Sequence, residues 1–252
     1  MNTRQWHQLL SDSWTQIFQS LRLPHDGVFV EVGPGKTDKI GLALSNYEFR
    51  GELYIIDPCR GALLWVKERY AQILPGVNVI PVMSSFEEAG KKINSPVDVI
   101  LMNHVFDDMI LYKSLPRIER EIIFNGIIPG ASCHPSVAEI WKKLEGLPHK
   151  AENLAHTVAE ECIRTIEHFS PDFFIANQYP SGFIKSHGLE IADILGKKTA
   201  MHIASTFENN LVEHLTFSQG HMDLKDWFIF SLTENTSYGP SEILTSLAQQ
   251  TK

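Results

Sequence analysis

Two short runs hold residue types at spacings that could do chemistry. In Asn103-His104-Val105-Phe106-Asp107-Asp108 a histidine precedes two acids by three and four positions. If that segment turns helically, an imidazole and a carboxylate become neighbours, a general base and the group that orients it. The second run is Glu31-Val32-Gly33-Pro34-Gly35, in which an acid and two glycines close an apolar stretch that starts at Val28. Asp57 ends a comparable stretch from Leu53, and Pro58 after it favours the extended backbone of a strand end. Other chemistries lack their residues. The chain has no G-x-S-x-G, C-x-x-C or H-E-x-x-H, and His149/His156 and His214/His221 stand seven apart, which skips the near-neighbour positions of a helix. No metal ligand set is expected.

A strand, a glycine turn and a helix bring backbone N–H groups and a helix N-terminus up to a ligand. Three ligand chemistries compete for the turn at Gly33 to Gly35. A P-loop ending in Gly35-Lys36-Thr37 needs a glycine at Val30, inside the strand, and is rejected. The dinucleotide fingerprint needs glycine where Asp38 stands, and a carboxylate there would face a pyrophosphate. What remains is E-x-G-x-G after one strand and a second acid, Asp57, closing the next.

At this point the chain resembles the class I (Rossmann-like) S-adenosylmethionine (SAM)-dependent methyltransferases. The likeness runs from Val28 to about Met109: Glu31-Val-Gly33-Pro-Gly35, Tyr54-Ile-Ile-Asp57-Pro58, Val79-Ile-Pro-Val-Met-Ser84-Ser85, and Val97-Asp-Val-Ile-Leu-Met-Asn103-His104. SAM carries a sulfonium, an amino group and a ribose diol but no phosphate, so acids at two strand ends suit it. One departure is Thr37, where the family often has glycine; Gly41 is expected to restore close helix-to-sheet packing. The resemblance implies that Glu31 engages the methionine amino group and that Gly33, Pro34 and Gly35 pass close to it. It also implies that Asp57 and Pro58 meet the ribose, that Ser84, Ser85 and Phe86 hold the adenine, and that Asn103 and His104 lie beside the reacting methyl. His104, Asp107 and Asp108 are then the catalytic candidates, with a base needed only if the acceptor arrives protonated. Trp14 (or Trp6), Asn177 and Tyr179 are the substrate candidates. Mg²⁺ on Asp107 and Asp108, as in metal-dependent members, is a weaker alternative.

These residues need an edge to stand on. Strands read at 28–32, 53–57, 77–83, 97–102, 172–176 and 226–232, with helices at 4–22, 40–44 (capped by Asp38), 59–74, 87–93, 115–124, 136–145, 152–169 and 189–195, and an irregular stretch at 125–134. Residues 200–207 and 211–217 are apolar mixtures that fit strand or helix equally. The expected fold is α/β: a doubly wound, mostly parallel seven-stranded sheet with helices on both faces, an N-terminal helix (1–22) and a helical insertion after the fourth strand (109–150), a lid candidate. Ligands of such sheets sit outside the carboxyl ends of the strands. No linker or repeat interrupts the chain, so one domain over 1–252 is expected.

The net charge of −8 and the absence of a basic cluster argue against nucleic acid or an anionic membrane as partner. Cys59, Cys133 and Cys162 are scattered and odd in number, as in a reduced compartment. No run approaches the ~18 apolar residues of a membrane span, and a soluble cytoplasmic protein is expected. The expected function is transfer of the SAM methyl group to O or N of a small-molecule acceptor, leaving S-adenosylhomocysteine. The alternatives are a SAM-binding or partner-binding protein of this fold without turnover, and an NAD-dependent oxidoreductase. Oligomeric state stays open, a homodimer included.

Overall fold

The structure is a computed structural model that describes residues 3–126, 135–179, 182–212 and 226–232. Its elements run α1 (Thr3–Leu21), β1 (Val28–Val32), α2 (Lys39–Asn46), β2 (Glu52–Ile56), α3 (Arg60–Ile73), β3 (Asn78–Val82), α4 (Phe86–Ala89) and β4 (Val99–Asn103). Then follow α5 (Phe106–Ser114), α6 (Arg117–Gly126), α7 (Pro135–Glu145), α8 (Pro148–Phe169), β5 (Phe173–Asn177), α9 (Gly182–His187), α10 (Glu190–Thr206) and β6 (Trp227–Ser231).

The strands form one sheet in the order β3-β2-β1-β4-β5-β6, with every pair parallel except β5–β6. Side chains alternate between its two faces, as the two-residue period of a strand requires. Phe29, Val99, Leu101, Phe173 and Ile175 point to one face and pack under α1, α2 and α3 with Trp14, Phe18, Leu44 and Val66. Val30, Val32, Ile100, Met102, Phe174 and Ala176 point to the other, under α4, α5, α8 and α10. β1, central and buried on both faces, is therefore a continuous apolar run apart from Glu31. Pro81 sits in β3, an edge strand, where a missing N–H costs no ladder bond on the open side.

Two expectations change, the strand number and the start of the helical region after β4, and one open reading is decided. Six strands are present among the described residues instead of seven. The missing edge position is where Leu211 bridges Phe230 in antiparallel fashion and Val212 donates its N–H to Ile229 O at 2.9 Å; the remainder of that apolar mixture, 213–217, lies outside the described residues. Residues 200–207 continue α10 because Ala200 and Ile203 fall on the buried stripe begun by Ala192 and Leu195. The helical region after β4 starts at Phe106, directly behind the strand, and breaks before Pro116, which cannot follow an α-helical residue comfortably. The irregular stretch expected at 125–134 lies outside the described residues from 127 onward.

Gly41 does not mediate helix-to-sheet packing. A Cβ there would lie 2.3 Å from Cε1 of Tyr70, so the glycine makes room for that ring. Gly41→Ala is expected to destabilise the fold by about 1–3 kcal/mol through overpacking. Chemical denaturation would check this, and an unchanged midpoint would show that Tyr70 can move aside.

Candidate functional site

The glycine turn after β1 is set by backbone need. Gly33 and Gly35 have φ of +62° and +58°, in the left-handed region, and a Cβ on Gly33 would lie 2.3 Å from Val105 Cγ2. The Gly33 N–H donates to Ile56 O at 2.8 Å, which carries the β1–β2 ladder into the turn. Asp57, just past β2, then closes the gap between the two strand ends. Its Oδ2 accepts from Gly35 N at 3.1 Å and its Oδ1 from Cys59 N at 2.7 Å. The second contact is an Asx-type turn around Pro58, and it leads into α3, whose first turn Cys59 caps through Sγ. Asp57 is 6% exposed, and burial raises its pKa to about 6 against the pull of those two N–H groups.

Glu31 points to the opposite face from Val30 and Val32. It is 2% exposed and accepts a 2.7 Å bond from Tyr70 Oη, which in turn accepts from Gly41 N at 3.1 Å. Burial raises its pKa to about 8, opposed by the Tyr70 bond and helped by Asp57 and Asp38. Asp38 does occupy the N-cap position of α2, but its carboxylate pairs with Arg69 Nε at 2.7 Å and makes no cap bond.

At the end of β4 a buried amide does the positioning. Asn177 has no exposed surface; its Nδ2 donates to Asn103 Oδ1 at 3.2 Å. Its Oδ1 and its backbone O both accept from His104 N at 3.0 Å. Trp14 Nε1 also donates to Asn103 Oδ1, at 3.2 Å, so the Asn103 oxygen is committed and its Nδ2 is the part left for a ligand. His104 is held at φ +53°, a conformation that costs a non-glycine residue about 1–3 kcal/mol and tends to occur at functional sites. Its ring stacks on Tyr179 (centroids 4.6 Å, 16° between planes), and Tyr179 Oη accepts from Lys39 Nζ at 3.1 Å. His104 Nε2 lies 3.7 Å from Asp107 Oδ2, while Asp107 Oδ1 accepts from Gln178 Nε2 at 3.1 Å. His104 Nδ1 is buried and has no protein partner.

These pieces border a cavity of about 440 Å³ at the carboxyl edge of the sheet, on the side of α4, α5 and α8. Gly33, Pro34, Gly35, Asp57 and Pro58 form one wall, and Ser84, Ser85 and Phe86 a second. Ser85 Oγ caps α4 through Glu88 N at 3.3 Å, whereas the buried Ser84 Oγ has no protein partner. Asn103, His104 and Asp108 form the third wall. Asp108 is open to the cavity while walled in by protein, and that desolvation, with Asp107 and Asp57 nearby, holds its pKa well above the ordinary carboxylate value. Glu31, Asp107, Trp14, Asn177 and Tyr179 do not line the cavity. They stand behind residues that do.

The sequence reading missed the far wall, made of Met109, Tyr112, Arg120 and Phe124 from α5 and α6 and Glu161 and Cys162 from α8. Arg120 lies over the Tyr112 ring at 4.6 Å, Lys113 pairs with Glu161, and Cys59 Sγ donates to Phe124 O at 3.0 Å. No spacing rule marks such residues, since they meet only through tertiary packing. Tyr70 was legible in principle: a tyrosine in a fully buried helix stripe needs a partner for its hydroxyl, and the lone acid in β1 supplies one.

No protein-family model matches the chain, and no curated protein does. Matching solved structures include the bifunctional kinase–methyltransferase WbdD, 11% identical with a TM-score of 0.45, over 92% of this chain and 40% of that one. A protein assigned as an rRNA methylase from Clostridium thermocellum is 10% identical (TM-score 0.47; 87% and 94% covered). A Streptococcus mutans protein assigned as a methyltransferase, in complex with S-adenosylhomocysteine, is 13% identical (TM-score 0.43; 86% and 93% covered). The chain spans less than half the length of WbdD. Strand count apart, the mostly parallel sheet with helices on both faces is the α/β fold expected from the sequence.

Glu31 binds its proton more tightly folded than unfolded, so its contribution to stability falls as pH rises from the ordinary carboxylate value to about 8 and is level beyond. Asp57 acts in the same direction but is spent by about pH 6. Glu31→Gln keeps an oxygen for Tyr70 and removes the charge. Between pH 6 and 8 the wild type should therefore lose stability relative to this variant, by thermal melts at each pH. Parallel curves would show that Glu31 titrates as an ordinary acid.

Proposed function

We propose that the protein is a SAM-dependent methyltransferase acting on O or N of a small-molecule acceptor enclosed beneath α5 and α6. The observation that carries this reading is Asp57. Its carboxylate already occupies the Gly35 and Cys59 N–H groups and puts an acid at the turn, which gives an unfavourable field for a pyrophosphate. With Asp38 at the start of α2, an NAD-dependent reading loses its anion site. A carboxylate with lone pairs facing a cavity suits a ribose diol and a cationic ligand instead. The open space in front of Gly35, where an added Cβ would meet nothing within 4 Å, and the unpartnered Ser84 hydroxyl fit the two ends of a nucleoside such as SAM.

Bound there, SAM would supply an electrophilic methyl on a positive sulfur. The chain's own residues then orient and dehydrate. Asp57 accepts the ribose hydroxyls. Asn103 offers N–H donors beside the acceptor, because Trp14 and Asn177 hold its oxygen. The His104 imidazole takes the acceptor proton where one must leave, with Asp107 beside it to stabilise the imidazolium and Gln178 fixing Asp107. Glu31, behind the wall and neutral near pH 7, supports the turn through Tyr70. Tyr112, Arg120 and Phe124 close the acceptor end with one aromatic-cationic surface, and the net charge of −8 disfavours an RNA acceptor.

Calorimetric titration with SAM, S-adenosylhomocysteine and NADH tests the ligand: binding of both sulfur nucleosides without NADH is expected, and the reverse preference would overturn the reading. Asp57→Ala should weaken SAM by roughly one to two decades, the value of a lost charged hydrogen bond. Unchanged affinity in a folded variant would remove the ribose assignment. His104→Ala should lower turnover, followed by labelled methyl transfer, with SAM affinity nearly intact; wild-type turnover would leave the histidine a packing role.

A further inference from the structure

His156 and Glu160 stand one turn apart on α8, and His202 meets them from α10. One ligand atom from each lies within 4.8 Å of the others. His202 Nε2 and Glu160 Oε1 are 2.8 Å apart, and the His156 ring sits edge-on to His202 with centroids at 4.9 Å. The backbone beneath them is closely packed. Ala155 and Ala159 of α8 and Thr199, Ala200 and Ile203 of α10 are buried in the seam, and Thr199 Oγ1 donates to Ala155 O at 3.3 Å, next to His156. One turn away, Lys198 pairs with Glu152 at 2.8 Å. The Glu160 carboxylate takes its bond from a histidine instead of a lysine, and that bond holds it below the usual carboxylate range.

We propose that His156, Glu160 and His202 bind one divalent transition-metal ion of the zinc class, through two imidazole nitrogens and one carboxylate oxygen, with water completing the shell. Ions of this class accept that mixed donor set at about 2.0–2.2 Å, whereas Mg²⁺ and Ca²⁺ favour oxygen alone. His202 and Glu160 side chains are 37% and 41% exposed, so ion and water can reach them. Ligands of a tetrahedral ion stand about 3.3 Å apart. The exposed His156 side chain supplies the needed rotation, and the His202 proton moves from Nε2 to Nδ1 or to solvent. Sequence spacing hid the site because His156 finds its histidine partner on another helix. The ion would clasp α8 to α10. Val158, Glu161 and Cys162 of α8 line the cavity, so the clasp braces one cavity wall without entering it.

The test uses the full chain, dialysed against EDTA and titrated with ZnCl2 by calorimetry and with CoCl2 by visible absorption. One ion per chain and a raised Tm are expected, with no response to MgCl2. Partners that only support a ligand are worth about 10–100-fold in affinity, so His156→Ala and His202→Ala should each weaken zinc roughly tenfold or more. Their metal-free melting should match wild type, since both side chains are at the surface. SAM affinity measured on the same variants should not change, which separates this site from the nucleoside cavity. No zinc binding up to millimolar concentration would overturn the proposal. So would binding that survives both substitutions, or that is lost in His149→Ala instead.

Discussion

The carboxyl edge of the sheet depends on one buried carboxylate between two strands. Asp57 binds the Gly35 N–H on the turn after β1 and the Cys59 N–H at the head of α3, so a single side chain ties two strand–helix junctions together. Burying a carboxylate is costly, and burial raises its pKa to about 6 even though the two N–H groups pull it down. The same geometry underlies the proposed ligand. A turn whose N–H groups are taken by a carboxylate offers acceptors to a ligand where a phosphate-binding turn offers donors.

Behind that edge lies a layer of buried polar groups that never touch the cavity. Tyr70 neutralises the problem of Glu31 by giving it a hydrogen bond, and Gly41 gives Tyr70 the space to do so. Asn177 spends its amide on Asn103 and its oxygens on the strained His104 backbone. Gln178 and Tyr179 continue the pattern against Asp107 and the imidazole. Three consecutive residues, the last of β5 and the two after it, thus position three groups at and just past the end of β4, because the two strands are paired in register with Asn103 opposite Asn177.

That register explains which parts of the molecule were legible in the sequence. Strand periodicity, the glycine turn and the acid at each strand end are local, and the parallel sheet with its binding edge follows from them. Asn177 and Tyr179 were found as residues near the site, but sequence alone could not tell a wall residue from one standing behind it. Glu31 illustrates the limit best. Its position in the motif suggested a ligand contact, while the alternation of side chains along β1 turns it to the other face, toward Tyr70. The seventh strand was expected from an apolar mixture that reads either way. Arg120, Phe124 and Glu161 carried no pattern, since their only common property is tertiary proximity.

Trp14 of α1 packs edge-on against Trp227 of β6, with centroids 4.8 Å apart, and both belong to one core. β1, next in the chain, gains its second neighbour only when β4 arrives. The segment that leaves the ribosome early is therefore completed by one that leaves late. Until β6 docks on β5, the apolar stripe of α1 through Trp14, Ile17 and Phe18 lacks part of its cover. Long-range strand pairing of this kind is slow to close, so the nascent chain passes through a period in which this stripe stays partly uncovered.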